Sequence, residues 1–286
     1  MSGRFVVIVT MPIPAEVSVR AGYLVALALF CTADRLAADT GFLDRQIVFS
    51  GQSYRYQVYV PAGYDPSNTW PVIVDLHGNG AQGTDGLTPT RFQLGKLVRL
   101  YRDSFPTIII FPQAPPGHFW EELPMQQLVL AELDATEREF RTDANRVYLT
   151  GFSMGGLAAY RIAFRWPDRF AALFVVAGRI LFPNDSEFRS RFEVDRQANI
   201  FPGAQDPYAA LAARLFKLPM WIFHGTADDA IDVDQSRRIV GALKTLTADV
   251  RYTELPALGH NEAADKAYNL EVFEWLLSQR RGQQAR

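Results

Sequence analysis

The sequence predicts an α/β fold: a mostly parallel central sheet with antiparallel N-terminal strands and helices on both faces. The chain has 286 residues, of which 48% are hydrophobic, so it is long enough to bury a large core. Two alternating or β-branched runs come first, at residues 45–50 and 54–60. Beyond them, short continuous apolar runs alternate with longer helical segments, which is the pattern of a parallel sheet covered on both faces.

The individual elements follow from these runs. The first two runs are separated by Gly51, Gln52 and Ser53 and are expected to form an antiparallel hairpin. The remaining strands are short apolar runs, expected at residues 71–76, 107–111, 146–151, 171–177, 220–225 and 250–255. Helices are expected between them, including one over residues 126–140 and one over residues 264–279, because apolar side chains recur on one face of each.

Residues 178–217 form a long connection between two of these strands. The segment has roughly 40 residues and is rich in Phe and Pro, which is long for an ordinary crossover. We interpret it as a cap or wall over a pocket, and a plain structural insertion is the alternative.

The N-terminal 38 residues differ from the rest. Arg20 precedes an apolar run at residues 21–33, which is shorter than the roughly 20 residues that span a bilayer and suits a secretory signal. We therefore predict a signal peptide at 1–38, a single catalytic domain at 39–286, and a secreted or periplasmic protein. The only cysteine, Cys31, lies in the segment that would be removed. A buried N-terminal helix is the alternative.

The charge balance argues against two classes of partner. The chain has 29 Lys and Arg against 31 Asp and Glu, with no long run of either sign. It therefore lacks the electrostatic footprint of a protein that binds nucleic acid or an acidic membrane surface. A small neutral substrate fits this balance better.

The stretch "NRVYLTGFSMGG" (145–156) contains a candidate nucleophile. Ser153 lies between Gly151 and Gly155, after an apolar strand-like run and before a segment of helical composition. A sharp strand-to-helix turn presents a nucleophilic serine in α/β sheets, and the flanking glycines relieve crowding there. We predict that Ser153 is the nucleophile, the alternative being a small residue at a tight turn.

The base must be one of four histidines: His77, His118, His224 and His260. In α/β sheets of this kind the acid and the base follow the serine along the chain, so His224 and His260 remain. His224 lies within an apolar strand, where a core or strand-end histidine is expected, and its replacement should leave activity largely intact. His260 lies in a glycine-containing loop between the last strand and the last helix, and we predict that it is the base.

The acid is expected in the loop after the penultimate strand. Residues 224–236 supply Asp228, Asp229, Asp232 and Asp234. Asp228 comes first past the strand end and Asp229 is the alternative, whereas Asp234 is expected to cap the following helix.

The developing oxyanion needs two N–H donors. One is expected from Met154, directly after the serine, and one from the glycine-rich loop "LHGNGAQGTDG" (76–86). Asn79 is the preferred second donor and Gly80 the alternative.

The same loop contains a dinucleotide-like pattern, "GNGAQG" (78–83). A nucleotide site requires a helix that begins within these glycines, but "TDGLTP" follows Gly83 and Pro89 lies close behind. Spaced Cys and His residues of the kind that bind metals are also lacking, and a calcium site in the Asp-rich loop is only a weak alternative. We therefore predict no cofactor and no metal.

Six stretches together carry a family resemblance that covers most of residues 45–280. They are "YRYQVYVPAGY", "PVIVDLHGNGAQGTDG", "PQAPPGHFW", "RTDANRVYLTGFSMGGLAAYRIAFRWPDRFA", "PMWIFHGTADDAIDV" and "GHNEAADKAY". The chain resembles the α/β-hydrolase fold, and within it secreted bacterial esterases similar to polyhydroxybutyrate depolymerases, feruloyl esterases and related peptidases.

The resemblance implies roles for individual residues. The family's acid falls on Asp228 rather than Asp229, its base on His260, and its oxyanion donors on Asn79 and Met154. The residues after the histidine, where relatives commonly carry a Trp, depart from the pattern, and residues 178–217 match none.

Trp120 resembles an aromatic side chain that lines the acyl pocket, with core or rim packing as the alternative. The implied activity is that of a serine hydrolase cleaving small-molecule or polymer carboxylic esters through an acyl-enzyme. A peptidase on the same fold and an inactive binding protein are the alternatives.

Overall fold

A computed structural model describes residues 39–102, 105–181, 201 and 203–282 of the chain. The predicted signal peptide and residues 182–200 of the predicted cap lie outside the described residues. The described residues belong to one compact unit. Within the described ranges, no helix is both long and apolar enough to cross a membrane.

Eight strands form one sheet in the described part of the chain. They are β1 (Gly41–Phe49), β2 (Gln52–Val60), β3 (Trp70–Leu76), β4 (Ile108–Phe111), β5 (Thr142–Phe152), β6 (Ala172–Val176), β7 (Met220–Gly225) and β8 (Val250–Leu255). Their order across the sheet is β1-β2-β4-β3-β5-β6-β7-β8. β2 pairs antiparallel with β1 and β4, and all other pairs are parallel, which confirms the predicted mostly parallel sheet with an antiparallel start.

The first hairpin turns one residue earlier than predicted. Ser50 and Gly51 form the turn with φ angles of 50° and 80°, and Phe49 pairs with Gln52. A two-residue turn with both φ angles positive matches the twist of the strands it joins. Gln52 and Ser53 therefore belong to β2.

Helices cover both faces of the sheet. They are α1 (Gln93–Tyr101), α2 (Leu123–Glu139), α3 (Met154–Arg165), α4 (Pro207–Leu215), α5 (Asp234–Thr245), α6 (His260–Ala267) and α7 (Leu270–Ser278). Side chains of α2 to α5 pack with Val72 and Val74 on one face, whereas α1, α6 and α7 pack with Ile73 on the other. The alternation along β3 reflects the period of two in a strand, so each face has its own apolar core.

The single helix predicted over residues 264–279 is wrong, because two helices occupy this region. α6 ends at Ala267, and Asn269 adopts an extended conformation with φ −140° and ψ 168°. The Asn269 side chain accepts a hydrogen bond from the Val272 N–H at 3.1 Å. This N-cap starts α7 in a new direction, while Val272 and Leu276 remain buried as the apolar stripe indicated.

The described part of the 178–217 segment includes a packed helix. Asp206 caps α4 by accepting hydrogen bonds from the N–H groups of Tyr208 and Ala209. The buried side chains of Tyr208 and Leu211 join the core on the face that also holds α3 and α5. This helix thus belongs to the outer layer of the fold, and a cap stays a prediction for the remainder.

The topology creates one edge where loops converge. From β3 the chain crosses to β4 on one side, and it later returns as β5 on the other side of β3. Strands β3, β5, β7 and β8 are parallel, so their carboxyl ends share one edge of the sheet. Ligands of open α/β sheets bind at such an edge, at the point where the strand order reverses.

Candidate active site

Ser153 lies at a strained turn between β5 and α3. Its φ of 57° and ψ of −115° lie outside the regions that non-glycine residues ordinarily adopt. The turn is held on both sides, since the Ser153 N–H donates to the Val176 carbonyl at 3.0 Å and the Ser153 carbonyl accepts from Leu157 N–H at 3.0 Å. In this conformation Ser153 is partly exposed at the sheet edge.

The two glycines that flank the serine are required by close backbone contacts. A Cβ atom on Gly155 would lie 1.9 Å from the Leu76 carbonyl oxygen, and one on Gly151 would lie 2.2 Å from the Gly155 carbonyl oxygen. No side chain fits at either distance. The first contact also brings the start of α3 against the end of β3, where the glycine-rich loop begins.

Ser153, His260 and Asp228 form one hydrogen-bonded row. His260 Nε2 lies 2.8 Å from Ser153 Oγ, and His260 Nδ1 lies 2.6 Å from Asp228 Oδ2. An ionised carboxylate only accepts hydrogen bonds, so Nδ1 carries the proton and Nε2 is left to accept the serine proton. The Phe152 ring packs on the His260 ring with centroids 4.7 Å apart, which restricts rotation of the imidazole.

The Asp228 carboxylate is buried and well supplied with donors. Its side chain is 0% exposed, and its Oδ1 accepts hydrogen bonds from the N–H groups of Ala230 (2.9 Å) and Ile231 (2.8 Å). Burial alone would raise the pKa of Asp228, but hydrogen bonds from His224, His260 and Ile231 outweigh it and hold that pKa well below its ordinary value. The carboxylate therefore stays ionised next to the His260 ring.

The other acids of this loop have different contacts. Asp229 is exposed, and the Asp232 carboxylate accepts a hydrogen bond from Asp234 N–H at 2.9 Å. Asp234 lies inside the first turn of α5 and pairs with Arg237 at 3.0 Å. The prediction that Asp234 is the N-cap is wrong, because the chain already has helical dihedral angles at the preceding residue.

The two residues predicted to supply oxyanion donors lie at helix starts. Asn79 begins a short 3₁₀ helix over Asn79–Ala81 in the loop after β3, and Met154 begins α3. The first N–H groups of a helix have no acceptor within that helix and lie at its positive end. No helix begins within the "GNGAQG" glycines beyond this 3₁₀ turn, since the next elements start at Thr88 and Gln93. This arrangement does not match the dinucleotide fingerprint.

His77 and Trp120 lie beneath this loop. The His77 ring donates to the Gly78 carbonyl (2.7 Å) and accepts from the Ala114 N–H (3.0 Å), and burial lowers the pKa of His77 to about 4. The indole Nε1 of Trp120 donates to the His77 carbonyl at 3.1 Å, and Trp120 is 0% exposed. These contacts support packing beneath the loop for Trp120, and its role in substrate binding stays a prediction.

His224 has a contact that the sequence did not reveal. It is fully buried, as expected for a core histidine, but its Nε2 lies 3.2 Å from Asp228 Oδ2. The only sequence signal is the four-residue spacing between the two in "HGTAD".

A cavity of about 490 Å³ opens beside His260. It is lined by Ala227, Asp229, Ala257, Gly259, His260, Asn261 and Glu262. The loops after β7 and β8 thus leave space next to the candidate base. Within the part of the chain that the structure describes, no group of three or more His, Cys, Asp or Glu side chains is arranged to hold a metal ion.

Comparison with known proteins adds a family match. A profile of the prolyl oligopeptidase family matches residues 120–280, which is more than half of the chain. The matched range includes Ser153, Asp228 and His260.

Two fungal proteins are similar in sequence. The chain is 24% identical over 181 residues to the bifunctional acetylxylan esterase/xylanase XynS20E of Neocallimastix patriciarum, covering 62% of this chain and 22% of that protein. It is 23% identical over 235 residues to acetylxylan esterase A of Emericella nidulans, covering 73% and 75% of the two chains. The chain thus spans about a fifth of the first relative and three quarters of the second.

Among solved structures, a thermostable esterase is similar with a TM-score of 0.68 and 26% identity. The match covers 84% of this chain and 63% of that protein.

Proposed function

Because the chain belongs to the prolyl oligopeptidase family and has the α/β-hydrolase fold, we propose that it is a serine hydrolase that cleaves carboxylic ester bonds through an acyl-enzyme. The observation that carries the proposal is the row of hydrogen bonds from Ser153 through His260 to Asp228. The relatives named as acetylxylan esterases support ester hydrolysis over other reactions of a serine hydrolase.

In the proposed first step, Ser153 Oγ attacks the carbonyl carbon of the ester while His260 Nε2 takes the hydroxyl proton. Asp228 stabilises the resulting imidazolium, and the N–H groups of Asn79 and Met154 stabilise the oxyanion. When the tetrahedral intermediate collapses, His260 returns the proton to the leaving alcohol and an acyl-serine remains.

In the second step, water attacks the acyl-serine and His260 accepts a proton from that water. The second tetrahedral intermediate releases the carboxylic acid and restores the Ser153 hydroxyl. No cofactor or metal takes part in the proposed reaction, which uses acid-base and nucleophilic chemistry of side chains alone.

We extend the proposal to the substrate class. The names of the relatives favour acyl groups esterified to a polysaccharide, such as acetyl groups on xylan, as well as small-molecule esters. A secreted or periplasmic location, as predicted from the N-terminal segment, would give the enzyme access to such polymers.

Peptide hydrolysis is the second candidate, because the matching family is named after an oligopeptidase. The hydrogen-bonded row of Ser153, His260 and Asp228 could catalyse either reaction. The difference lies in the leaving group, since an amine must be protonated before it departs and an alcohol departs more readily.

The test uses wild type, Ser153→Ala and the control Ser67→Ala. Ser67 is an exposed serine in the loop before β3, at the opposite end of that strand from Ser153. A fluorophosphonate probe should label wild type and Ser67→Ala but not Ser153→Ala. On p-nitrophenyl acetate, kcat of Ser153→Ala should fall by at least about 10³-fold, as expected for loss of a nucleophile.

A panel of acetyl and feruloyl esters, acetylated xylan and peptide anilides then separates the two candidates. Ester hydrolysis with no anilide hydrolysis is expected. Normal turnover by Ser153→Ala, or folded wild type that the probe does not label, would contradict the mechanism. Anilide hydrolysis at rates that match ester hydrolysis would instead favour the peptidase.

A further inference from the structure

The carboxylate of Asp228 has a second histidine beside it. His224 lies near the end of β7 and is 0% exposed. Its Nε2 lies 2.8 Å from the Ile231 carbonyl oxygen and 3.2 Å from Asp228 Oδ2, and its Nδ1 lies 2.7 Å from Ser236 Oγ. The same Oδ2 atom accepts the hydrogen bond from His260. Both imidazole rings therefore converge on one carboxylate oxygen.

These contacts determine where the proton of His224 lies. A carbonyl oxygen only accepts hydrogen bonds, so Nε2 must carry a proton. In the neutral ring Nδ1 is then an acceptor, and the Ser236 hydroxyl on α5 donates to it. Ser236 is fully buried, so this hydroxyl does not exchange partners with bulk water. The positive end of the Nε2–H bond consequently faces the Ile231 carbonyl and Asp228.

Ile231 connects His224 to the other oxygen of the carboxylate. Its carbonyl accepts from His224 Nε2, and its N–H donates to Asp228 Oδ1 at 2.8 Å. Residues 228–231 form a tight loop, and Ile231 at its end is held through its N–H by the carboxylate and through its carbonyl by the buried ring. Rotation of the Asp228 carboxylate would break the hydrogen bond of Oδ1 with the Ile231 N–H and the contact of Oδ2 with His224.

We propose that His224, with its tautomer set by the Ile231 carbonyl, is a positioning residue that holds the Asp228 carboxylate in the orientation required to align His260. This proposal rests on the proposed function of Ser153, His260 and Asp228. It replaces the expectation from the sequence that loss of His224 is harmless to activity. Ordinary core packing requires neither a buried serine at Nδ1 nor a carboxylate at Nε2.

The electrostatics of Asp228 agree with this assignment. Burial raises the pKa of Asp228, and the His224 contact is the largest of the influences that lower it again, ahead of His260 and the Ile231 N–H. His224 therefore supports the ionised form of the carboxylate as well as its orientation.

The first arm of the test compares His224→Leu with His224→Gln in the full chain, with p-nitrophenyl acetate as substrate. Leu removes the donor, whereas the Gln amide places an N–H donor near the Nε2 position. His224→Leu should lower kcat by about tenfold or more, the size of loss seen when the hydrogen-bond partners of metal-binding histidines are removed. KM should change less than about twofold, because the alignment matters for the reaction step and not for binding. His224→Gln should recover most of kcat.

The second arm repeats His224→Leu in an Asp228→Asn background. If His224 acts through the carboxylate, it should cause no further loss there, since residues that act as a unit are not additive. Val240→Ala serves as the matched control: Val240 is buried one turn after Ser236 on α5, and its truncation lowers stability without touching the polar row. It should leave kcat unchanged.

A third readout is the proton NMR signal of the short His260 to Asp228 hydrogen bond. This far-downfield signal should shift or vanish in His224→Leu and persist in His224→Gln and Val240→Ala. Should His224→Leu fail to fold, Ser236→Ala provides a milder variant, which should lower kcat in the same direction.

The proposal is overturned if folded His224→Leu has wild-type kcat, if its effect adds fully to that of Asp228→Asn, or if Gln restores nothing that Leu removes. These outcomes differ from those expected if the proposed function is wrong. If the chain is not a serine hydrolase that uses Ser153, then Ser153→Ala remains active, regardless of the activity of the His224 variants.

Discussion

Ser153 occupies a conformation that most side chains avoid. Backbone strain of this kind costs about 1–3 kcal/mol and persists where the surroundings enforce it. The Ser153 hydrogen bonds to Val176 and Leu157 provide that enforcement, together with the tight contacts of Gly151 and Gly155. The strained turn thus holds the Ser153 hydroxyl at the end of β5, which supports its proposed role as nucleophile.

Asp75 is a buried acid behind the glycine-rich loop. Its Oδ1 accepts hydrogen bonds from Thr150 Oγ1 at 2.5 Å and from the Tyr268 hydroxyl at 3.2 Å. Burial raises the pKa of Asp75 to about 6, although both hydrogen bonds act in the opposite direction. The folded protein therefore binds a proton at Asp75 that the unfolded chain releases at lower pH.

We predict that Asp75→Asn removes one component of the pH dependence of stability. The folded pKa lies above the ordinary value of 3.8, so the free energy of unfolding falls as pH rises from about 4 to about 6 and levels off above. Each unit of difference corresponds to about 1.4 kcal/mol. Asn does not titrate, and its side-chain oxygen accepts from the same two hydroxyls, so the variant should gain stability relative to wild type across this window.

Urea unfolding at pH 4.5, 5.5 and 7.0 measures this difference. Thr107→Val is the control, because Thr107 is buried and does not titrate, so its effect should be the same at each pH. Parallel pH profiles for Asp75→Asn and wild type would contradict the prediction.

At the scale of elements, α5 links the candidate site to the outer layer. It packs beside β7 and carries Ser236 on its buried face. Its opposite face includes Gly241, which is exposed and has an ordinary φ, and a Cβ atom built there meets nothing within 4 Å. Neither the backbone conformation nor the surrounding space requires a glycine here, so the extra backbone freedom of Gly241 only favours the unfolded chain.

Gly241→Ala should therefore stabilise the protein by about 0.5–1 kcal/mol, which raises Tm by roughly 1–4 °C for a chain of this size. A thermal melt measures the shift, and ester hydrolysis should stay at the wild-type rate. Gly155→Ala is the matched control within α3: its Cβ would lie 1.9 Å from a carbonyl oxygen, so stability and activity should both fall. A lower Tm for Gly241→Ala would show that the helix does not admit a side chain there.

At the scale of the whole molecule, we predict that the N-terminal segment directs export and is then removed. Expression of the full chain in a bacterial host should yield a periplasmic protein that begins at residue 34 or 39, after Ala33 or Ala38. Mass spectrometry of the periplasmic fraction identifies the new N-terminus. A chain started at residue 39 should have the Tm and the kcat/KM of the processed form.

Leu27→Asp provides the control for export, since a charge in the apolar run should keep the chain in the cytoplasm with its N-terminus intact. An unprocessed N-terminus on wild type in every fraction would favour a buried helix instead of a signal.

Local patterns predicted most elements of the fold, and their failures were also local. The strands fell close to their predicted positions, because apolar runs bounded by turn residues are properties of a few consecutive residues. The break at Asn269 was missed because Asn at an N-cap and Asn within a helix differ only in backbone conformation. The position of the first turn depended on the register of β1 and β2, which Gly51 alone did not specify.

The sequence by itself determined the fold class, the turn that carries Ser153, and the chain order that reduced the candidate histidines to His224 and His260. Tertiary structure decided which acid meets His260, that Trp120 is fully buried, and that His224 contacts the same carboxylate. The physical reason is the separation along the chain of the residues that meet at the site. Glycines and apolar runs affect only the conformation of neighbouring residues, so they can be read from the sequence. The distance between two side chains on different loops exists only once parallel strands align their carboxyl ends at one edge of the sheet.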